Sequence, residues 1–151
     1  MPSIKETIII NANVKKVLET FHNFQNYPSW SKFMTSIEIT EPGKTEETLS
    51  VGDSLKVVIF LSRKNKETVF TPTVTENSEK RFAWNGVLLS SWIFGGNHSF
   101  QFESIDENTT KLIQGEVFSG AMASPIFWML GESTAADFKL FNEALKAECE
   151  K

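Results

Sequence analysis

From Gly52 to Phe118 apolar and polar residues alternate with a period of two, and turn residues cut the pattern at short intervals. Residues 54–61, 67–75, 81–89, 97–105 and 111–118 read as five strands, linked through residues 63–66, 76–80, 90–96 and 106–109. Links this short predict an antiparallel meander, since parallel neighbours need long crossovers. Pro72 falls inside the 67–75 strand and has no N–H to donate, so an irregularity is expected there. Gly86 and Gly115 are positions at which the sheet can bend.

Ahead of this block, residues 4–10 are rich in Ile and Thr and predict a first strand. Asn13 is placed to cap a helix with Val14, Val17, Leu18 and Phe21 on one face, and residues 23–28 stop it. A second, very short helix or turn carries Tyr27, Trp30, Phe33 and Met34. Ile37 and Ile39 mark another strand, which ends in the Glu41-Pro42-Gly43 turn and a polar loop to Ser50. Behind the block, Gly120 and Pro125 punctuate the entry to a helix over residues 124–151. There Phe127, Leu130, Thr134, Phe138, Phe141, Leu145 and Cys149 recur at gaps of three and four, with Glu132, Lys139, Glu143, Lys146 and Glu150 opposite. An apolar stripe of that length needs a partner, and a sheet is the element available. The expectation is one α+β domain over residues 1–151. It has a curved antiparallel sheet of about seven strands wrapped around a long C-terminal helix, two short helices between strands one and two, and an apolar cavity between sheet and helix.

The chain of 151 residues carries a net charge of −4, with 15 Lys and Arg in all, and lacks the dense basic stripe that phosphate neutralisation requires, so no nucleic-acid partner is expected. With a single cysteine, Cys149, no internal disulfide forms, and the N-terminus has no signal-peptide succession; a reducing, cytoplasmic setting is expected. The longest apolar run, residues 57–61, is far short of the ~20 residues a bilayer-crossing helix needs. The two histidines and the cysteine are not at ligand spacing, and no glycine-rich phosphate or dinucleotide fingerprint is present, so neither metal nor cofactor is expected. Ser119 and Ser124 lack the glycine-flanked setting of a hydrolase nucleophile. Thirteen Phe and four Trp stand against one Tyr, Tyr27, which supplies apolar area with few phenolic donors and favours holding a hydrophobic body over transforming it.

Three segments resemble the START-like (SRPBCC) superfamily with its helix-grip fold, and within it the polyketide cyclase/dehydrase-like branch. They are residues 8–33 with Asn26-Tyr27-Pro28-Ser29-Trp30; Phe82-Ala83-Trp84-Asn85-Gly86 followed by Gly96-Asn97-His98-Ser99-Phe100 and by residues 110–120 with Gln114, Gly115, Glu116, Phe118 and Gly120; and residues 138–148. The resemblance implies the helix-grip fold for nearly the whole chain. About activity it implies less, because the superfamily includes lipid carriers, hormone and allergen-type binders, chaperone activators and cyclases. Three readings follow: binding of a small hydrophobic ligand (lipid, sterol or polyketide-like) as a carrier or sensor; a polyketide cyclase- or dehydratase-like enzyme; and a protein-interaction module.

For the enzyme, an even-sum pairing of the last two strands sets His98 opposite Glu116 as an acid/base pair, whereas a slip by one residue separates them. The same two residues also suit a self-satisfying polar pair. For the carrier, the fold implied by the resemblance brings Trp30, Phe33, Trp84, Phe94, His98, Phe100, Gln114, Glu116, Phe118, Phe127, Trp128, Phe138 and Phe141 around one cavity of about 300 to 1,000 Å³, with part of the aromatic set expected as ordinary core. His22 closes the first helix, where a charged imidazole meets the C-terminal partial charge. Trp92-Ile93-Phe94 followed by Gly95-Gly96 is unusually apolar for a turn. It suits a lid hinged on the glycines, transient contact with a membrane surface, or packing on the final helix.

Overall fold

The structure, a computed structural model, describes every residue except Leu89 and Ser91, and all side chains but theirs and that of Leu88. The expected end of the fifth strand at residue 89 thus lies outside the described residues. In chain order the elements are β1 (Ser3–Ile10), α1 (Val14–His22), a 3₁₀ turn (Phe24–Asn26), α2 (Tyr27–Trp30), β2 (Met34–Ile39), β3 (Leu55–Leu61), β4 (Lys66–Phe70), β5 (Thr73–Asn77), β6 (Arg81–Leu88), β7 (Phe94–Asp106), β8 (Thr109–Ser119) and α3 (Ala123–Cys149).

The strands form two antiparallel sheets, β1-β8-β7-β6-β5 and β2-β3-β4. The fourth strand expected over residues 67–75 is divided at Pro72: β4 stays with β3, and β5 leaves to pair with β6. The cause is local. Proline brings no N–H, so the ladder cannot run through it, yet its carbonyl still accepts from Leu55 N at 3.0 Å. Beyond it, Val74 N donates to Asp53 O at 2.8 Å and Thr73 bridges Ser54, which makes the corner a join between the sheets. The sheet is therefore folded at a corner rather than evenly curved, with eight strands in place of about seven.

Between β1 and β2, Asn13 caps α1 as its sequence position predicts, its side-chain oxygen accepting from Lys15 N at 2.9 Å. The second helix is shorter than the run of aromatics suggests: α2 ends at Trp30, and Met34 already opens β2. Phe33 sits between them, its carbonyl accepting from Phe60 N at 2.8 Å and tying the connection to β3.

On α3 the buried side chains include Phe138, Phe141, Leu145 and Cys149, on the expected stripe, with Glu132, Lys139 and Glu143 exposed opposite. Phe21, Phe24, Tyr27 and Trp30 meet Phe82, Phe100, Phe102 and Phe141 over the C-terminal half of that helix. Ring centroids there lie 4.7 to 6.5 Å apart, a close-packed aromatic core. Along β7 and β8 the inner face pairs His98 with Glu116, Phe100 with Gln114 and Phe102 with Leu112. Among the described residues, no helix is long and apolar enough to cross a membrane.

Candidate functional site

Over the N-terminal half of α3 the aromatic core gives way to a cavity of about 200 Å³. Its floor is β6, β7 and β8, with Trp84, Phe94, His98, Glu116 and Phe118; one wall is α3, with Ile126, Phe127, Leu130, Gly131, Thr134, Asp137 and Phe138; the other comprises Phe33, Met34, and Ile59, Leu61 and Phe70 of the smaller sheet. Ile59, Leu61, Phe70, Phe94, Phe127 and Leu130 are half-buried, so this end of the space reaches solvent. Phe94 stacks on Phe118 at 5.8 Å, and Phe118 meets Phe127 at 6.0 Å, joining floor to helix.

Of the residues expected at the cavity, Phe33, Trp84, Phe94, His98, Glu116, Phe118, Phe127 and Phe138 line it. Trp30, Phe100 and Phe141 do not: they belong to the aromatic core, because the α1–α2 insert covers that half of the helix. Gln114 lies one position deeper than Glu116 and serves as a support rather than a liner. Trp128 is 87% exposed and is removed from the cavity by its place on α3, one residue past Phe127 and on the outer face. The expected volume also shrinks, since seven rings project into the space. Met34, Ile59, Leu61, Phe70, Ile126, Gly131 and Asp137 were missed. Leu130 and Thr134 had been placed on the apolar stripe without a binding role. The β3 and β4 residues needed knowledge of the corner at Pro72. Asp137 carried one signal, an acid between Thr134 and Phe138 on the apolar side of an amphipathic helix.

The polar floor is built residue by residue. Gln114 Nε2 donates to Phe138 O at 3.1 Å and Asn142 Oδ1 at 2.7 Å, which orients its amide and leaves Oε1 as the acceptor. His98 Nε2 lies 2.8 Å from that oxygen and is therefore the protonated nitrogen. Asn142 Nδ2 in turn donates to Glu6 O on β1 at 3.3 Å, so the imidazole is anchored through α3 to the sheet edge. Its free Nδ1 faces Glu116 Oε1 at 4.0 Å, too far for a hydrogen bond. Burial lowers the His98 pKa to about 4, with the Gln114 bond opposing it, so the ring is neutral. Burial also raises Glu116 to about 7, because no cation compensates its charge.

The Glu116 side chain keeps a fifth of its surface accessible from the cavity, and its carboxyl lies across Gly96. A Cβ at residue 96 would stand 2.8 Å from Oε1, so glycine there is what gives the acid its place. Asp137, 3% exposed, approaches the same cavity from α3 and accepts a hydrogen bond from Ser62 Oγ in the β3–β4 turn. Among the described residues no Lys or Arg lines the space, and no cluster of His, Cys, Asp and Glu is arranged to hold a metal ion.

Two expectations elsewhere change. His22 does close α1, but burial lowers its pKa to about 4, so it meets the helix end neutral rather than charged, with Nδ1 buried and unpartnered. Of the Trp92-Ile93-Phe94 triplet, Ile93 and Phe94 are half-buried and Trp92, 72% exposed, faces solvent. Ala121 N donates to Trp92 O at 2.9 Å and Met122 N to Ile93 O at 2.8 Å, which fastens this turn to the start of α3.

This arrangement, two antiparallel sheets folded on a long terminal helix with a lined hollow between, defines the helix-grip class. The family described as polyketide cyclase / dehydrase and lipid transport matches residues 1–150, and the chain belongs to it. Similar folds include the Zhui aromatase/cyclase from Streptomyces sp. R1128 (TM-score 0.69, 13% identity, 99% of this chain and 93% of that one). A START superfamily protein from Mycobacterium smegmatis is similar as well (0.72, 14%, 98% and 97%). So is a hypothetical protein from Helicobacter pylori (0.76, 15%, 98% and 88%). At these identities the likeness speaks for the fold. No curated protein matches the sequence significantly.

Proposed function

We propose that the chain binds a small, largely apolar molecule in this cavity as a carrier or sensor. The observation that carries the reading is an open, ring-lined space of about 200 Å³ in a domain whose other half is filled. That is more than the ~150 Å³ cavity that accommodates benzene and less than the ~300 Å³ where drug-sized pockets begin. A guest of one or two rings, or a short acyl chain, fits this volume better than a sterol. Burial of its apolar surface at about 25 cal/mol per Å² supplies the main attraction. The test is native mass spectrometry of the purified protein beside Leu130→Trp, which fills the space from α3. A guest carried by the wild type and absent from the variant supports binding, and equal occupancy in both would sink it.

A second reading, cyclase- or dehydratase-like chemistry, draws support from Glu116 and His98. An acid with a pKa of about 7 and a neutral imidazole with a free Nδ1 share one wall of the cavity, as general acid/base work requires. It demands a turnover that His98→Ala and Glu116→Gln each abolish while the guest still binds. The interaction-module reading needs a filled interior, which the cavity weighs against. Membrane contact through Trp92, Ile93 and Phe94 retains Trp92 alone as an outward anchor; vesicle binding that survives Trp92→Ser would remove it.

A further inference from the structure

The cavity is lined by two kinds of group that attract positive charge and, among the described residues, by none that repels it. Seven aromatic rings face it: Phe33, Phe70, Trp84, Phe94, Phe118, Phe127 and Phe138. Their faces carry the negative part of the ring quadrupole. Two carboxyl groups line it, Glu116 on the floor from β8 and Asp137 on the α3 wall. Asp137 is engaged by Ser62, whereas Glu116 has no hydrogen-bond partner among the described residues, and Gly96 provides the room in which its carboxyl lies against the cavity. A neutral guest would leave the charge of the ionised acid uncompensated, and an anionic guest would face it in a low-dielectric space, where like charges repel most.

We propose that the guest of this cavity is a small organic cation, an aromatic or alkyl ammonium whose charged head sits at Glu116 among the rings. The inference rests on the cavity being a binding site and goes beyond it by giving the guest a charge. The groups around Glu116 are consistent with it from every side. On β7 the neighbour is His98 with its unprotonated Nδ1 at 4.0 Å. On β1 the register partner is Ile4, and the nearest acid there, Glu6, pairs with Gln114 and does not line the cavity. On α3 the acidic liner is Asp137, and β3, β4 and β6 contribute Ile59, Leu61, Phe70 and Trp84. An incoming ammonium holds Glu116 ionised. A Glu116 that is protonated in the empty protein must first release its proton, so binding below neutral pH expels one.

The experiment compares three probes of nearly equal shape, 2-phenylethylamine, 2-phenylethanol and phenylacetate, by calorimetry or through Trp84 fluorescence in the full chain. The ammonium is expected to bind at least about tenfold more tightly than the alcohol, and phenylacetate least. Its affinity should rise with pH up to about 7 and then level off, the alcohol's staying flat. Glu116→Gln should bring amine and alcohol to within about threefold of each other, while the exposed Glu132→Gln leaves the preference intact. The pH profile of the wild type tests the same point should Glu116→Gln fail to fold. Equal binding of amine and alcohol, or a preference that survives Glu116→Gln, would overturn the cation and leave the cavity reading standing. Absence of binding by all three probes at millimolar concentration would overturn both.

Discussion

The two halves of α3 are made of similar residues and have opposite surroundings. Phe141, Leu145 and Cys149 are buried against β1, α1 and the aromatic set Phe21, Phe24, Tyr27 and Trp30. Ile126, Phe127, Leu130 and Thr134, equally well spaced on the same stripe, border a hollow. The difference lies in what stands across from each half. The insert between β1 and β2 brings large rings down onto the C-terminal half, whereas across from the N-terminal half stand Ile59, Leu61 and Phe70 of the second sheet, with the cavity between. An amphipathic helix longer than the plug that covers it leaves apolar surface over open space.

The largest effect that separates the halves is expected from ring removal. Phe21→Ala deletes a fully buried ring that touches Phe82, Phe100, Phe102 and Phe141 and should cost about 3 to 5 kcal/mol in chemical denaturation. Phe127→Ala, at the half-buried edge of the hollow, should cost about 1 kcal/mol or less. Similar costs for both would erase the distinction between a packed and an open half.

Next comes the pH dependence of stability, which reads the hollow's polar wall. An unfolded Glu116 releases its proton near 4.5 and the folded one near 7, so the folded state binds more proton between these values and stability falls as pH rises through them. His98 and His22 act in the other direction. The unfolded rings protonate below 6.5 and the folded ones only near 4, so stability falls as pH drops across that window. With two such rings against one acid, stability should rise up to about pH 6.5 and change little from there to pH 8. Glu116→Gln should remove the acid's opposing contribution, a gain of at most about 3 kcal/mol at pH 8. A variant no more stable than the wild type at pH 8 would contradict the burial assigned to this acid.

Gln114→Leu should cost about 2 kcal/mol, because it strands His98 Nε2 and Asn142 Oδ1 without partners. A double-mutant cycle with His98→Phe should recover part of that loss. Additive costs would show that the two side chains act separately. The smallest effect is expected at Gly131, where an added Cβ meets Phe127 at 3.5 Å, ordinary contact, within a helix. Gly131→Ala should stabilise by about 1 kcal/mol and slightly narrow the hollow. Loss of stability there would mean that the α3 backbone cannot accept a side chain beside Phe127.

Much of this was legible in the chain. The stripe on α3, the cap at Asn13 and the period of two from Gly52 onward follow from spacings of three, four and two, which are local properties of a backbone; of the registers left open for the last two strands, the structure has the one that sets His98 opposite Glu116. Pro72 announced an irregularity in the same way. What it could not announce was direction: a proline forbids a hydrogen bond but does not say which neighbouring strand receives the chain afterwards. That choice aimed Ile59, Leu61 and Phe70 at α3, and only the folded arrangement makes it.

Aromatic content alone likewise did not tell core from cavity. Phe100 and Phe118 occupy the same face of adjacent strands, yet one meets Phe21 and the other borders open space. The periodicity of a strand or helix is encoded by neighbours a few residues away, so the sequence by itself determined the elements and their inward faces, while the register that sets His98 opposite Glu116 was read from the structure. The volume left between two faces depends on side chains from distant segments that arrive together. Hence the hollow, its size, and the uncompensated state of Glu116 were decided by tertiary packing.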